Sequence, residues 1–123
     1  MAKRRVSEWV AKLLHSAMEI ETVVRARLPI IVVVFNNHGI YAGLDADEYA
    51  STAPEKLPST ALSPGARYDL LGESLGATGY LARTPDSLNR ALRAALQDTS
   101  SASIIDCRIE PGGSSVTFKV AHL

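Results

Sequence analysis

Residues 30–39 read Ile-Ile-Val-Val-Val-Phe-Asn-Asn-His-Gly, an apolar run that ends in a polar turn. The run from Ile30 to Phe35 is rich in β-branched residues and does not alternate with polar ones, which predicts a strand buried on both faces. Such strands belong to parallel sheets covered by helices, and ligands of open α/β sheets bind beyond the carboxyl ends of the strands. The stretch therefore predicts a parallel sheet with a candidate binding loop directly after Phe35.

Helical and extended patterns alternate along the rest of the chain. Apolar residues three or four apart predict one long amphipathic helix, or two abutting ones, from Val6 to Leu28, ended by Pro29. The other predicted elements are a helix at Tyr68–Leu75 with Leu70, Leu71 and Leu75 inward and Gly76 as its cap, a strand at 79–82, a helix at Pro85–Gln97 behind the N-cap Thr84, and a strand at Ser103–Ile109. This order predicts the α/β class, with a partial open parallel sheet flanked by helices and a long N-terminal helix.

Composition and charge exclude several classes of protein. The 123 residues are 46% hydrophobic, and 13 Lys and Arg residues balance 13 Asp and Glu residues. A balanced charge argues against nucleic-acid binding by electrostatics, and the apolar run from Leu28 to Phe35 is too short to span a membrane. The single cysteine, Cys107, excludes an internal disulfide and a Cys-rich zinc site, and we expect it in the core. Neither nucleic acid nor membrane is therefore predicted as a partner.

The candidate binding loop carries two adjacent amides, Asn36 and Asn37, followed by Gly39. Two amides in a row are hard to bury, so both are expected to face the loop or a ligand. An amide oxygen and a backbone carbonyl are hard, neutral donors that suit Mg²⁺, which takes its other ligands from phosphate and water. Asn and Gly are also ordinary turn formers, so a simple turn remains the alternative.

Several segments, spread in order along the chain, carry a family resemblance. They read Met18-Glu19-Ile20-Glu21-Thr22, Leu28-Pro29-Ile30, Asn36-Asn37-x-Gly39-Ile40-Tyr41, Arg67-Tyr68, Thr84-Pro85-Asp86 and Ile109-Glu110-Pro111. Together they resemble the cofactor domain of thiamine-diphosphate enzymes, and more narrowly the 2-hydroxyacyl-CoA lyase and oxalyl-CoA decarboxylase branch. The resemblance covers roughly Ser16 to Pro111 and is to the C-terminal part of a longer enzyme.

The resemblance implies thiamine diphosphate and Mg²⁺ as cofactors. The family's metal-ligand amide falls on Asn37 and its carbonyl ligand on Gly39, while Ile40 and Tyr41 fall where the family lines the cofactor. The family's acidic metal ligand falls on Val10, which has no side-chain oxygen, so half of the implied metal site is missing. No catalytic residue can be named in this chain.

The implied activity is cleavage of a 2-hydroxyacyl-CoA, as in fatty acid α-oxidation, into formyl-CoA and an aldehyde. The implied partners are an acyl-CoA substrate and further copies of the same subunit in the full-length enzyme. Because Val10 replaces the acid, we expect the 123-residue chain to be inactive alone. Two alternatives stay open, which are an oxalyl-CoA decarboxylase-type fragment and a non-catalytic α/β interaction module that has lost cofactor binding.

Three regions follow from where the resemblance begins and ends. We predict a divergent N-terminal helical segment at 1–15, the C-terminal part of a thiamine-diphosphate-binding domain at 16–111, and a flexible tail at 112–123. The last residues, Ala121-His122-Leu123, resemble a relaxed peroxisomal address. Peroxisomal localisation is therefore expected, with the cytoplasm as the alternative.

Overall fold

A computed structural model of the chain describes residues 6–8 and 16–112. Within them lie four strands, β1 (Val6–Glu8), β2 (Ile31–Asn36), β3 (Thr78–Ala82) and β4 (Ser103–Arg108), and four α-helices, α1 (Glu19–Arg25), α2 (Ala46–Ser51), α3 (Tyr68–Ser74) and α4 (Pro85–Gln97). A 3₁₀ turn covers Pro54–Lys56. The described residues divide into two compact units, one with residues up to 36 and from 65 to 109 and one with residues 37–64 and those from 110. We refer to them as the sheet unit and the loop unit.

The sheet unit is built on a parallel sheet with the strand order β1-β2-β4-β3. The two inner strands pair along their whole length, from Ile31 opposite Ser103 to Asn36 opposite Arg108. Ile31, Val33 and Val34 are buried, which confirms that the β-branched run forms a strand covered on both faces.

Two apolar clusters cover the two faces of this sheet. Val34 and Ile104 pack with residues of α1 and α3, whereas Val33 and Ile105 pack with residues of α4. Because successive side chains of a strand point to opposite faces, β2 and β4 supply both clusters at once. Cys107 lies buried in the α4 cluster, as predicted, and burial raises the pKa of its thiol, which keeps it protonated and unreactive.

The long N-terminal helix predicted from Val6 is wrong at its start. Residues Val6–Glu8 form β1, which pairs in parallel with β2 from Ile31 to Val33. Strand pairing with a neighbour distant in sequence overrides a helical pattern that is only local. The described helix α1 begins at Glu19, and residues 9–15 lie outside the described part. Residues 113–123 also lie outside it, so the tail and its terminal tripeptide remain predictions.

The elements predicted in the second half of the chain are confirmed, and each of their ends lies within one residue of the predicted position. Thr84 caps α4 in a capping box, since its hydroxyl accepts from the Ser87 amide and the Ser87 hydroxyl accepts from the Thr84 amide. Leu70 is an exception, because it is 49% exposed although it was expected to point inward. Leu71 and Leu75, also predicted to point inward, are partly buried and pack against the same core cluster as the buried Tyr68. Within residues 6–8 and 16–112, no helix is long and apolar enough to cross a membrane.

Two helices end in the same Schellman motif, with different residues at the left-handed position. After α3 that residue is Gly76, with φ +92°, and after α1 it is Arg27, with φ 52°. In the α1 motif the Arg27 and Leu28 amides donate to Val24 and Val23 carbonyls. Gly76 thus confirms its predicted role as a helix cap, whereas Arg27 holds a conformation that disfavours a side chain.

We predict opposite effects of exchanging the residue type at these two caps. Arg27→Gly should raise the free energy of unfolding by about 0.5–1 kcal/mol, because it removes the steric penalty of the left-handed backbone. Gly76→Ala should lower it by about 1–2 kcal/mol, since the new Cβ takes on that penalty. Urea unfolding of both variants checks the pair. Equal effects of the same sign would contradict the cap assignment.

Candidate functional site

The candidate cofactor loop, residues 37–43, directly follows β2 and lies within the loop unit. Asn37 is partly buried, and its side chain forms hydrogen bonds with other residues of the loop. Its Oδ1 accepts from the Gly39 amide at 3.2 Å, and its Nδ2 donates to the Tyr41 carbonyl. The Asn37 side chain therefore shapes the turn, while its Oδ1 retains a second lone pair for a cation.

Two glycines let this loop fold back on itself. A Cβ on Gly39 would lie 2.5 Å from Gly43 Cα, and a Cβ on Gly43 would lie 1.8 Å from the Asn37 carbonyl oxygen. Gly43 also has φ +71°, a left-handed backbone that favours glycine. The space that a side chain would need at either position is filled by the loop's own backbone, so the turn around Asn37 requires glycine at both.

The loop is held in place by a second segment of the loop unit. Gly39 forms an antiparallel bridge with Ala61, in which the Ile40 amide donates to Thr60 at 2.9 Å and the Leu62 amide donates to His38 at 2.9 Å. His38 itself is left-handed, with φ 63°, and its Nδ1 lies 3.3 Å from the Leu44 carbonyl oxygen. Strained backbone of this kind persists where neighbouring bonds over-determine it, and it is common in ligand-binding loops.

The two residues predicted to line the cofactor differ in exposure. Ile40 is partly buried, and Tyr41 is 77% exposed. A large aromatic side chain this exposed is free to contact a ligand or another protein surface. The structure therefore brings Asn37, Gly39, Ile40 and Tyr41 together in one turn, and their roles toward a cofactor remain a prediction.

The donor set of this loop fits a magnesium diphosphate only in part. Asn37 Oδ1 and the Gly39 carbonyl are neutral, hard oxygens of the type that Mg²⁺ accepts. Charged oxygen is missing from this set. Among residues 6–8 and 16–112, no three His, Cys, Asp or Glu side chains come together as a possible metal site.

Asn36, expected to face the loop, is instead buried in the sheet unit with only 1% of its surface exposed. Its Nδ2 donates to Asp106 Oδ1 at 3.1 Å, and the same amide lies 3.4 Å from the Ala66 carbonyl oxygen. Burying an amide is acceptable when its hydrogen bonds are made, and here a buried carboxylate makes one of them. The prediction for Asn36 was wrong because the partner, Asp106, lies seventy positions away.

Asp106 is a residue that sequence reasoning missed. It is fully buried in β4 and accepts from the Tyr68 amide at 3.1 Å, while Arg108 Nη2 lies 3.3 Å from its Oδ2. The bond from Tyr68 satisfies an amide at the start of α3. An acidic residue inside the apolar strand Ser103–Arg108 was the signal, because a charge in a buried strand requires partners.

A second ion pair lies beside this network at the start of α3. Arg67 donates to Asp69 through two nitrogens, Nε at 2.8 Å and Nη2 at 2.5 Å. These hydrogen bonds from Arg67 hold the pKa of the Asp69 carboxyl below its ordinary value, against the opposing effect of burial. The pair is bidentate, the geometry in which arginine binds a carboxylate most strongly.

We predict that acid weakens the fold through Asp69. Its folded pKa is lowered, so its contribution to stability is present above the ordinary value of 3.8 and is lost as the pH falls below it. Urea midpoints measured from pH 6 down to pH 2 check this. Asp69→Asn should lower stability at pH 6 and flatten the decline below pH 4. A decline as steep as that of the parent chain would contradict the assignment.

Most of the chain matches a known protein family. The family model described as the C-terminal TPP-binding domain of thiamine pyrophosphate enzymes matches residues 11–107. The chain belongs to the thiamine pyrophosphate enzyme family. The resemblance carried by the Asn36–Tyr41 segment and its neighbours is thereby confirmed.

Curated relatives within this family are lyases and decarboxylases of acyl-CoA compounds. The chain is 43% identical over 101 residues to 2-hydroxyacyl-CoA lyase 1 of Mus musculus, covering 78% of this chain and 17% of that protein. It is 43% identical to the 2-hydroxyacyl-CoA lyase of Saccharomyces cerevisiae over 79% of this chain and 17% of that one. Oxalyl-CoA decarboxylase of Escherichia coli is 37% identical over 88% of this chain and 18% of its own length. The chain thus spans less than a fifth of these relatives.

Solved structures of thiamine pyrophosphate enzymes share the fold. Benzoylformate decarboxylase from Polynucleobacter necessarius superposes with a TM-score of 0.66 at 25% identity, over 87% of this chain and 19% of that one. The 4-hydroxybenzoylformate decarboxylase of Rhodococcus jostii gives a TM-score of 0.67 at 15% identity, over 90% of this chain and 20% of that chain. These matches confirm the α/β class with a parallel sheet flanked by helices.

Proposed function

We propose that this chain provides the thiamine-diphosphate-binding domain of a Mg²⁺-dependent 2-hydroxyacyl-CoA lyase. The reaction would split a 2-hydroxyacyl-CoA into formyl-CoA and an aldehyde, with an acyl-CoA as substrate and further copies of the full-length subunit as partners. The observation that carries the proposal is the loop of Asn37 and Gly39 after an inner strand, in a chain whose relatives are named as 2-hydroxyacyl-CoA lyases.

The loop residues would bind the cofactor through two kinds of contact. Asn37 Oδ1 and the Gly39 carbonyl oxygen would hold Mg²⁺, which keeps its other positions for phosphate and water. Gly39 and Gly43 allow the close turn that brings these residues together, and Ile40 and Tyr41 would contact the organic part of the cofactor. When bound, thiamine diphosphate supplies the electron sink for breaking a carbon–carbon bond, and the protein positions it.

Val10 sets the expected strength of this binding. It stands where the family resemblance places an acidic metal ligand, so both remaining donors are neutral. Mg²⁺ binds proteins mainly through one or two carboxylates together with substrate phosphates, so a site without a carboxylate should be weak. We therefore expect weak cofactor binding and no turnover by the 123-residue chain alone.

Calorimetric titration with thiamine diphosphate in excess Mg²⁺ tests the proposal. Val10→Asp should strengthen binding by at least about tenfold, because the family resemblance implies a carboxylate metal ligand at this position. Asn37→Ala in the Val10→Asp background should abolish this gain. The matched control Asn89→Ala, on an exposed position of α4, should leave the affinity unchanged.

Two results would contradict the proposal. One is that Val10→Asp and the double variant Val10→Asp/Asn37→Ala bind thiamine diphosphate with the same affinity. The other is the absence of measurable binding in Val10→Asp itself. The latter would favour the second candidate, a non-catalytic α/β interaction module, which the valine at position 10 already supports. Oxalyl-CoA decarboxylation is distinguished by assaying both acyl-CoA substrates with the full-length enzyme.

A further inference from the structure

The chain passes between the sheet unit and the loop unit at three points. It leaves the sheet unit after Asn36, returns to it at Gly65, and leaves again after Ile109. On the sheet-unit side these points are joined by hydrogen bonds. The Ile109 amide donates to the Asn36 carbonyl at 3.1 Å, and the Asn36 side-chain amide lies 3.4 Å from the carbonyl of Ala66.

A buried polar network completes these connections. Arg108 Nη2 donates to the Ala66 carbonyl at 2.5 Å and lies 3.3 Å from Asp106 Oδ2. Asp106 Oδ1 accepts from Asn36 Nδ2 at 3.1 Å. The side chains of Arg108 and Asp106 are 15% and 0% exposed, and Asn36 is 1% exposed. One carboxylate thus connects the strand end, the returning segment and the departing segment.

We propose that Asn36, Asp106 and Arg108 act as positioning residues that hold both ends of the segment 37–64. The cofactor loop begins one residue after Asn36, and Ala66 lies two residues after the segment ends. Pinning both ends removes chain freedom that the segment would otherwise have to lose when it orders its loop. The consequence for cofactor affinity rests on the proposed function, whereas the effect on loop order does not.

The chemistry of the network favours positioning over stability alone. Replacing a buried ion pair by apolar residues of similar size is often neutral or stabilising, so stability does not require charges here. A buried network of directional bonds instead selects one geometry, because each misplaced partner leaves a polar group unsatisfied. In this network the selected geometry is that of Asn36 and Ala66, which lie one residue before the segment 37–64 and two residues after it.

Amide hydrogen exchange, measured by NMR without cofactor, tests the proposal. The probes are the Ile40 and Leu62 amides, which donate within the loop unit, and the reference is the Ile105 amide in β4. Asn36→Leu and Arg108→Met each break a different part of the network. Thr84→Ala is the control, because it removes the N-cap of α4 and so lowers stability without touching the network.

The expected result is selective. Relative to Ile105, the Ile40 and Leu62 amides should exchange at least about tenfold faster in Asn36→Leu and Arg108→Met, and at an unchanged ratio in Thr84→Ala. Should Asn36→Leu fail to fold, Arg108→Met decides alone. The proposal is overturned if Asn36→Leu and Arg108→Met show the same exchange rates, relative to Ile105, as Thr84→Ala. Because no cofactor is added, failure of cofactor binding leaves this outcome interpretable.

Discussion

Asp106→Ala is expected to lower the free energy of unfolding by about 3–5 kcal/mol, the cost of removing one member of a buried ion pair. The carboxylate is fully buried and receives donors from Asn36, Tyr68 and Arg108. Without it, the Arg108 guanidinium stays in the interior with no counter-charge from position 106, and the Tyr68 amide at the start of α3 loses its acceptor. Urea unfolding followed by circular dichroism measures the loss.

Two further variants separate charge burial from simple loss of volume. Asp47→Ala, on an exposed position of α2, should change stability by at most about 1 kcal/mol. The double variant Asp106→Leu/Arg108→Met should recover only the part of the loss that comes from the unpaired Arg108 charge, because the Asn36 and Tyr68 amides still lack the acceptor at position 106. A double variant less stable than Asp106→Ala would contradict this account of the network.

Gly43→Ala is expected to disrupt the candidate cofactor loop. The added Cβ would lie 1.8 Å from the Asn37 carbonyl oxygen, an overlap with backbone that no rotamer change can relieve. The left-handed backbone at φ +71° adds a penalty of about 1–2 kcal/mol by itself. Loss of the native NMR signals of Asn37 and Gly39, together with a lower melting temperature, would register the change.

Gly112→Ala is the matched control for this substitution. Its backbone is also left-handed, with φ +73°, but no atom lies within 4 Å of the added Cβ. It should therefore show only the conformational cost of about 1–2 kcal/mol and keep the Asn37 signals unchanged. If Gly43→Ala behaves no worse than Gly112→Ala, the close approach of Gly43 to Asn37 does not define the loop.

Patterns that span a few neighbouring residues were read correctly from the sequence. The β-branched run of β2, the capping residues Thr84 and Gly76, and the apolar stripe of α4 each depend on contacts within one turn or one strand. The candidate site was predicted in the same way, because Asn37 to Tyr41 are consecutive and carry a family resemblance, and its role toward a cofactor stays a prediction. Local propensity and periodicity are sufficient for such features.

Features that depend on distant partners were missed. Val6–Glu8 has a helical pattern in the sequence but forms a strand, because it pairs with β2. Asn36 was assigned to the loop and is buried because Asp106 supplies its hydrogen bond. Leu70 was placed in the core beside Leu71 and is exposed, since α3 turns Tyr68, Leu71 and Gly72 inward. In each case a tertiary contact outweighs a weaker local preference.

From its residues alone, this chain was assigned to the α/β class with a parallel sheet and to the thiamine pyrophosphate enzymes, because short-range patterns and a collinear motif carry that information. Folding in three dimensions was needed to pair Asn36 with Asp106 and Arg108, and to bring Gly43 against Asn37. The physical reason is that hydrogen bonds and steric contacts act over a few ångströms of space, whatever the separation along the chain.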